Sequence, residues 1–485
     1  MSDVPAYARQ QTREGPLPLS TKLFQAVGAW PEVFKGLGFG LLLLYYGTVL
    51  GLPVTWAALA LGIATFVDGA VDPLIGSWSD NLRHRLGRRH PLMYASVLPL
   101  GLSLYAVFAP PSGLSHPALF AWLLASTIAV HATLSLFVVP WTAMYAELTD
   151  RYEERTVLVA WRYALGWIGG LGFGFLVFPV LFAATTAFPQ GQLNPDSYRG
   201  FAPVLAISVA LSALLATHLT RREVPYLIQP IGPVTPFSLG RLWREVTAPF
   251  GNGPFVILFA SALISAALTG ITTALTIYMQ TYFWRLAAAD LAWFGLTGIG
   301  AAAGFLIAPW AERRLDKVRV LQVCFALSLI DGVIVVGLRL AGVLPENGDP
   351  ALLPILVAAT SFGVFLTTLL GIMFISMLAD ALDWQELTTG RRQEGMFAAG
   401  LSFSTKATAG IGTLAAGLLL AHIIRWPQGA GASPEPDAIV RLGLVVGFLV
   451  PALYLVPFAM SLRYRLTREA HAEIRAKVDE RRAAI

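Results

Sequence analysis

The chain has 485 residues, of which 56% are hydrophobic and 13% charged, and its mean hydropathy is +0.64. Soluble domains carry roughly a quarter charged residues, so this composition excludes a soluble globular protein and points to a bilayer. The formal net charge of +5 is gathered between apolar runs, which makes it a feature of membrane topology and implies no nucleic-acid partner.

Taken in chain order, the first 21 residues are polar and hold no apolar stretch of the kind a cleavable signal peptide needs. A hydrocarbon core about 30 Å thick requires around 20 apolar residues per helix. Twelve runs meet that requirement: 25–50, 56–80, 91–109, 117–146, 157–184, 201–219, 254–282, 289–310, 320–342, 352–384, 395–423 and 439–462. The 352–384 run is long enough to include an extramembrane turn. The short alternating segments of a membrane β-barrel are absent from the sequence. The expected fold is an all-α membrane protein of twelve transmembrane helices.

An ionisable residue within such a helix is a functional candidate, because centring a charge in a bilayer costs on the order of 3 kcal/mol or more. Helix 1 carries Glu32 and Lys35, three residues apart, which can neutralise each other or meet a substrate. Helix 2 carries FVDGAVDPLIGSWSD (66–80). Its Asp68 and Asp72, at i and i+4, share a face with Cβ atoms roughly 6 Å apart. Two carboxylates that close repel, so the pair shares a proton or holds a cation. Pro73 has no N–H, which leaves the carbonyl of Gly69 without its helical donor beside them. Carboxylate and carbonyl oxygens are hard ligands suited to Na⁺. The structural alternative is pairing with bases of neighbouring helices, for which Lys35, Arg162 and Lys406 are available.

Helix 4 holds His131, which can relay protons or simply pack, and helix 5 holds Arg162 near its start, where it can bind substrate or snorkel to the interface. Gly166, Gly170 and Gly174 recur every four residues along helix 5, a stripe for close helix packing. The Pro-rich stretch 221–252 then divides the chain into six helices and six. The loops NLRHRLGRRHP (81–91) and AERRLDKVR (311–319) match in length and charge across the two halves, an internal repeat like that of transporters binding substrate at the midplane. The expected domains are a six-helix bundle with the cation site (1–220), a cytoplasmic linker (221–252), and a second bundle with a tail (253–485). Helix 8 has no acid in its span, so a charged cation site belongs to the first half.

The single Cys324 excludes an intramolecular disulfide and reads as a small core residue. Asp331 stands alone in helix 9, and Lys406 lies eleven residues into helix 11, too deep to snorkel; it serves a substrate or a salt bridge between the halves. If both termini are cytoplasmic, 26 of the 34 lysines and arginines fall on the cytoplasmic side and five (Arg199, Arg285, Arg339, Arg425, Arg441) on the other. That bias sets both termini inside. None of the five lysines follows a glycine, so the sequence has no phosphate loop of an ATP-driven pump. Neither H-E-x-x-H nor G-x-S-x-G occurs, so the sequence gives no sign of an enzyme.

At this point three motifs resemble one family. VDGAVDPLIGSWSDNLRHRLGRRHP (67–91), VPWTAMYAELTDRYEERTVLVAWR (139–162) and ADALDWQELTTGRRQEG (379–395) followed by Lys406 are similar in order and spacing to the glycoside–pentoside–hexuronide:cation symporters of the major facilitator superfamily, the melibiose permease-like group. The resemblance implies two pseudo-symmetric six-helix bundles and transport of a sugar or glycoside with H⁺ or Na⁺ by alternating access. It implies Asp68 and Asp72 as cation-binding carboxylates with Ser135 as an extra ligand, and places Glu32, Arg162 and Lys406 at the family's charged positions. Val138 stands where the family has a sugar-binding aspartate and Val71 where it has an asparagine beside the second cation aspartate. The first departure argues against a galactoside and the second against Na⁺. The same superfamily branch contains lysophospholipid carriers, so a carrier of an amphiphile is the alternative.

The substrate is expected between the halves at mid-membrane, held by Glu32, Arg162 and Lys406 with Trp141 or Tyr163 as a stacking ring. Opposite charges at the cytoplasmic helix ends are expected to act as latches: Asp80, Arg85, Arg88 and Arg89 after helix 2, Glu147, Asp150 and Arg155 after helix 4, and Asp380 and Asp383 at the end of helix 10. The expected partners are a small-molecule sugar and the lipid bilayer, with no cofactor, no metal beyond Na⁺ at Asp68 and Asp72, a monomeric state, and a bacterial inner-membrane location.

Overall fold

The computed structural model describes residues 7–8, 11, 13, 15–149, 151–230, 253–389, 394–464, 466 and 468–483. Among them, twelve helices are long and apolar enough to cross a membrane: α1 (Leu19–Val49), α2 (Val54–Asn81), α3 (His90–Phe108), α4 (His116–Leu148), α5 (Glu154–Leu181), α6 (Pro195–Tyr226), α7 (Phe255–Phe283), α8 (Ala288–Leu315), α9 (Lys317–Leu340), α10 (Leu352–Trp384), α11 (Ser404–Ile424) and α12 (Pro436–Ser461). A further polar helix, α13 (Arg468–Ala483), follows. The protein is a multi-pass, all-helical membrane protein, and the one extended pairing among the described residues is a two-residue antiparallel bridge, Tyr7–Ala8 against Gln229–Pro230.

The chain forms two compact units. Unit 1 comprises Met1–Phe237 with Ala287–Gly295 and Gln428–Ala432; unit 2 comprises Ser238–Leu286, Leu296–Pro427 and Ser433–Ile485. Two short segments of the second half are thus built into the first unit, an interleaving that the division at 221–252 does not anticipate. Residues 221–226 end α6 as a 3₁₀ turn, and 231–252 lie outside the described residues.

Two helices differ from their sequence-based limits. Helix α1 begins at Leu19 rather than near 25, because its polar first turns are satisfied by distant partners. Thr21 Oγ1 donates to Glu223 Oε1 at 2.7 Å, and the backbone N–H of Leu17 donates to Glu154 Oε1 at 2.8 Å. Burying polar groups is tolerable once they are hydrogen-bonded, and a hydropathy window cannot see such bonds. The run containing α10 is one unbroken helix, Leu352–Thr389, of 38 residues. The extramembrane turn expected within 352–384 and the loop expected from 385 are therefore absent up to residue 389. At 1.5 Å per residue this helix is about 57 Å long, well beyond the bilayer core.

Glycines set the closest helix approaches in unit 1. A Cβ at Gly170 would come 2.7 Å from Val33 Cγ1, and one at Gly169 would overlap the Trp30 indole, whose Nε1 donates to the carbonyl of Leu165 at 2.9 Å. In unit 2 the core gathers Phe255, Leu258, Phe325, Met373 and Met377 around the buried Cys324.

The two units repeat one local device. Gly87, with φ +74°, precedes Arg88 and Arg89 in unit 1; Asp316, with φ +67°, precedes Lys317 in unit 2. Glycine takes the left-handed region at no steric penalty. Asp316 compensates by accepting the backbone N–H of Lys317 with its own carboxylate at 2.7 Å.

Candidate functional site

Helices α2 and α4 place the charged pair. Ser135 Oγ donates to Asp72 Oδ1 at 2.6 Å and lies 3.2 Å from Asp68 Oδ1. His131 Nδ1 lies 3.4 Å from Asp68 Oδ1. His131 and Ser135 are one turn apart on α4, as Asp68 and Asp72 are on α2. The two pairs meet in order, as they must when the helices run parallel: Asp68 faces His131 and Asp72 faces Ser135. Both α4 side chains are buried, at 7% and 4% exposure. The Phe39 and His131 rings meet edge to face at 5.5 Å, and Lys35 Nζ sits over the Phe39 ring, 4.2 Å from its centroid. The site therefore gathers two carboxylates, one hydroxyl donor and one imidazole within unit 1, flanked by an aromatic ring.

Also in unit 1, Arg162 Nη2 approaches Glu32 Oε2 at 3.5 Å. Glu32 thus turns toward Arg162, and Lys35 toward the Phe39 ring. The Arg162 guanidinium covers two rings, Trp141 at 4.8 Å and Tyr145 at 5.8 Å. Trp141 itself is fully buried. Its Nε1 donates to the carbonyl of Gln25 at 2.9 Å, and Gln25 Nε2 donates back to the carbonyl of Trp141 at 2.9 Å. A Cβ at Gly28 would overlap this indole, so a glycine is needed for α1 to pass it. Trp141 is buried and its face is covered by Arg162, whereas Tyr163 is 45% exposed. Lys406 is partly buried on α11 in unit 2.

The charges at the helix ends pair within each unit. In unit 1, Glu147 Oε1 accepts from Arg88 Nη2 and Arg89 Nη2, both at 2.7 Å, and Asp80 Oδ1 lies 2.8 Å from Arg89 Nη1. Arg88, Arg89 and Glu147 are all buried. Arg155 donates to the carbonyls of Thr149 (3.1 Å) and Ala146 (3.3 Å), closing the end of α4. Arg85 is exposed, and Asp150 lies outside the described residues. In unit 2, Lys317 Nζ donates to both oxygens of Asp380 at 2.8 Å. Asp383 Oδ2 meets His471 Nε2 at 3.0 Å and Arg475 Nη1 at 3.1 Å, both from α13. Buried acid against flanking base is thus common to both units, and in unit 2 the tail helix supplies part of the positive charge.

Sequence reasoning singled out Asp68, Asp72 and Ser135, which the structure brings together. It left His131 undecided, although its place one turn before Ser135 on α4 was a usable signal. It did not find Gln25, Lys317, His471 or Arg475, whose partners lie 63 to 116 residues away, nor Tyr145, which lies under the Arg162 guanidinium.

Comparison with known proteins fits this architecture. The putative glycoside/cation symporter YagG of Escherichia coli is 23% identical, over 92% of this chain and 91% of its own. The isoprimeverose transporter of Lactiplantibacillus pentosus is 23% identical over 86% of this chain and 83% of its own. Among solved structures, a bacterial homologue of the iron transporter ferroportin in its inward-facing state shares the fold, with a TM-score of 0.61 at 13% identity over 92% of this chain and 97% of that one. The family described as MFS/sugar transport protein matches residues 24–468, and with that match over most of its length, the chain belongs to this family of membrane transporters.

Proposed function

We propose that this protein is a secondary active transporter that carries a sugar or glycoside together with a proton by alternating access. The observation that carries the reading is the Asp68–Asp72 pair facing Ser135 and His131 within the bilayer span. A pair of partly buried carboxylates within the bilayer span is costly when both are charged, and binding one cation relieves that cost. If the bound cation also favours closure around the sugar, each ligand raises the affinity of the other by the same factor.

A proton suits this site better than Na⁺. Na⁺ wants several oxygen lone pairs aimed at it, but Ser135 gives its hydroxyl proton to Asp72, and Asp68 meets an imidazole nitrogen beside that same hydroxyl. Val71 adds no oxygen to the shell. On the sugar side, Glu32 and Arg162 offer an acceptor and a planar donor, Tyr163 an exposed ring, and Lys406 a further donor from unit 2. The names of the two bacterial relatives, a glycoside/cation symporter and an isoprimeverose transporter, support the substrate class. The distribution of Lys and Arg supports both termini being cytoplasmic, and the bacterial relatives support an inner-membrane setting.

The test is uptake of a sugar panel into proteoliposomes under an imposed proton gradient, an imposed Na⁺ gradient, and neither. The expected result is accumulation of at least one sugar with the proton gradient alone. Strong stimulation by Na⁺ at fixed pH, with none from the proton gradient, would overturn the proton assignment. Absence of uptake for every sugar overturns the substrate class.

A further inference from the structure

We infer that the Tyr145 hydroxyl on α4 bonds one ring hydroxyl of the transported sugar and so helps decide which sugars bind. The inference deepens the sugar-transport reading above and rests on it. Tyr145 lies one turn after Trp141, and the two rings meet edge to face with centroids 5.5 Å apart. The Arg162 guanidinium covers both, 4.8 Å from the Trp141 centroid and 5.8 Å from that of Tyr145. The other ionisable groups acting on the tyrosine are Tyr163 and Glu32. Tyr145 therefore stands among the unit 1 side chains proposed to hold the sugar.

Its hydroxyl sets it apart. The oxygen is shut off from solvent and has no hydrogen-bond partner among the described residues. Other buried tyrosines of unit 1 are satisfied. Tyr46 gives its proton to the carbonyl of Val107 at 2.7 Å, Tyr198 to that of Gln192 at 2.8 Å, and Tyr45 to that of Phe108 at 3.2 Å. Buried polar atoms are nearly always bonded, and one left unmet lowers stability. Phenylalanine would offer Trp141 and Arg162 the same ring without that loss, so packing does not account for the oxygen.

The Arg162 contact shows how a partner can arrive. Its ion pair with Glu32 is long, at 3.5 Å, and the two side chains are 29% and 52% exposed. A pair this loose leaves the guanidinium free to turn from the ring to a ligand oxygen, which opens that side of Tyr145. Arg162 only donates hydrogen bonds and ionised Glu32 only accepts them, whereas a phenol does both at one atom. A sugar hydroxyl also donates and accepts, so Tyr145 complements it in a way that neither neighbour does. A site that bonds a ligand hydroxyl discriminates against the analogue lacking it.

The test is a mutant cycle between this residue and the sugar. It measures binding of the methyl glycosides of xylose, glucose and galactose, and of their monodeoxy derivatives, to the purified full-length protein in nanodiscs. For a parent glycoside that binds, Tyr145→Phe should weaken affinity about 10-fold, the factor one hydrogen bond carries. The melting temperature should hold or rise, because an unmet buried oxygen is gone. One monodeoxy derivative should bind wild type about 10-fold more weakly than its parent, and should bind Tyr145→Phe and wild type equally. The remaining derivatives should lose the full factor in the variant. Tyr145→Leu serves if the phenylalanine variant is not recovered, read by whether one derivative loses about 10-fold less than its parent.

Unchanged affinity of the parent glycoside in Tyr145→Phe overturns the inference. A loss of the same size for the parent and every derivative also overturns it and marks the hydroxyl as structural. If no glycoside binds wild type, the sugar reading itself fails and the inference falls with it.

Discussion

Ser135 on α4 gives its hydroxyl proton to Asp72 on α2 at 2.6 Å, across 63 residues of sequence. One turn earlier on both helices, His131 faces Asp68. Since the two helices run parallel, a single register fixes both contacts, and a shift of either helix breaks both. If this ladder is the coupling site, Asp68→Asn and Asp72→Asn should each lose uphill accumulation while keeping exchange of substrate down its gradient. Ser135→Ala removes a donor to a charged group, worth about 1.5–3 kcal/mol, and should lower accumulation roughly 10-fold or more. Accumulation ratios in proteoliposomes check all three, and full accumulation by either asparagine variant rules the site out.

Arg162 reaches Glu32 and covers the rings of Trp141 and Tyr145. A lysine keeps the charge but not the planar fork that stacks and bonds together. Arg162→Lys should therefore lose most uptake, as Arg162→Ala and Lys406→Ala should, with expression unchanged. Near-normal transport in Arg162→Ala and Lys406→Ala would remove both from the substrate site.

Trp141 packs, and its loss should register as stability. Trp141→Phe removes the bond to Gln25 and should lower the unfolding free energy by about 1–3 kcal/mol, with the apparent affinity for substrate unchanged. Gly28→Ala forces a Cβ into the same indole and should destabilise by about 1–3 kcal/mol as well. Thermal unfolding and binding measured side by side check the split; a pure affinity loss in Trp141→Phe would restore the ring as a stacking surface.

Glu147 is the buried acid between Arg88 and Arg89. Glu147→Ala leaves two buried guanidinium groups short of their shared acceptor, and breaking a buried pair in this way costs about 3–5 kcal/mol. Asp80 has 48% of its side chain exposed, so Asp80→Asn should cost under about 1 kcal/mol. Equal losses in the two variants would refute this ranking.

The tail helix holds Asp383 through His471 and Arg475. Arg475 is 46% exposed along its side chain, so solvent weakens that pair, and removing residues 468–485 should destabilise the protein by only about 1–3 kcal/mol. The double variant His471→Ala/Arg475→Ala should reproduce most of that loss. An unchanged melting temperature after truncation would show that the tail contributes nothing to unit 2.

Hydropathy and the helical period are local properties, so the sequence by itself determined the twelve helices, the bias of basic residues, and the placing of Asp68 and Asp72 on one face. The glycine stripe of α5 was legible for the same reason, and Gly170 does lie against Val33. What only the tertiary structure decided are contacts between residues far apart in the chain. The start of α1 depends on Glu154 and Glu223. The burial of Trp141 depends on Gln25, 116 residues away. In the sequence His131 fits both packing and proton relay, because one helix cannot reveal which face its neighbour presents, and only the parallel register of α2 and α4 sets it against Asp68. The unbroken α10 and its tail clasp follow the same logic. Acids that mark a helix end in an isolated sequence can continue the helix once Lys317, His471 and Arg475 arrive from elsewhere to meet their charge.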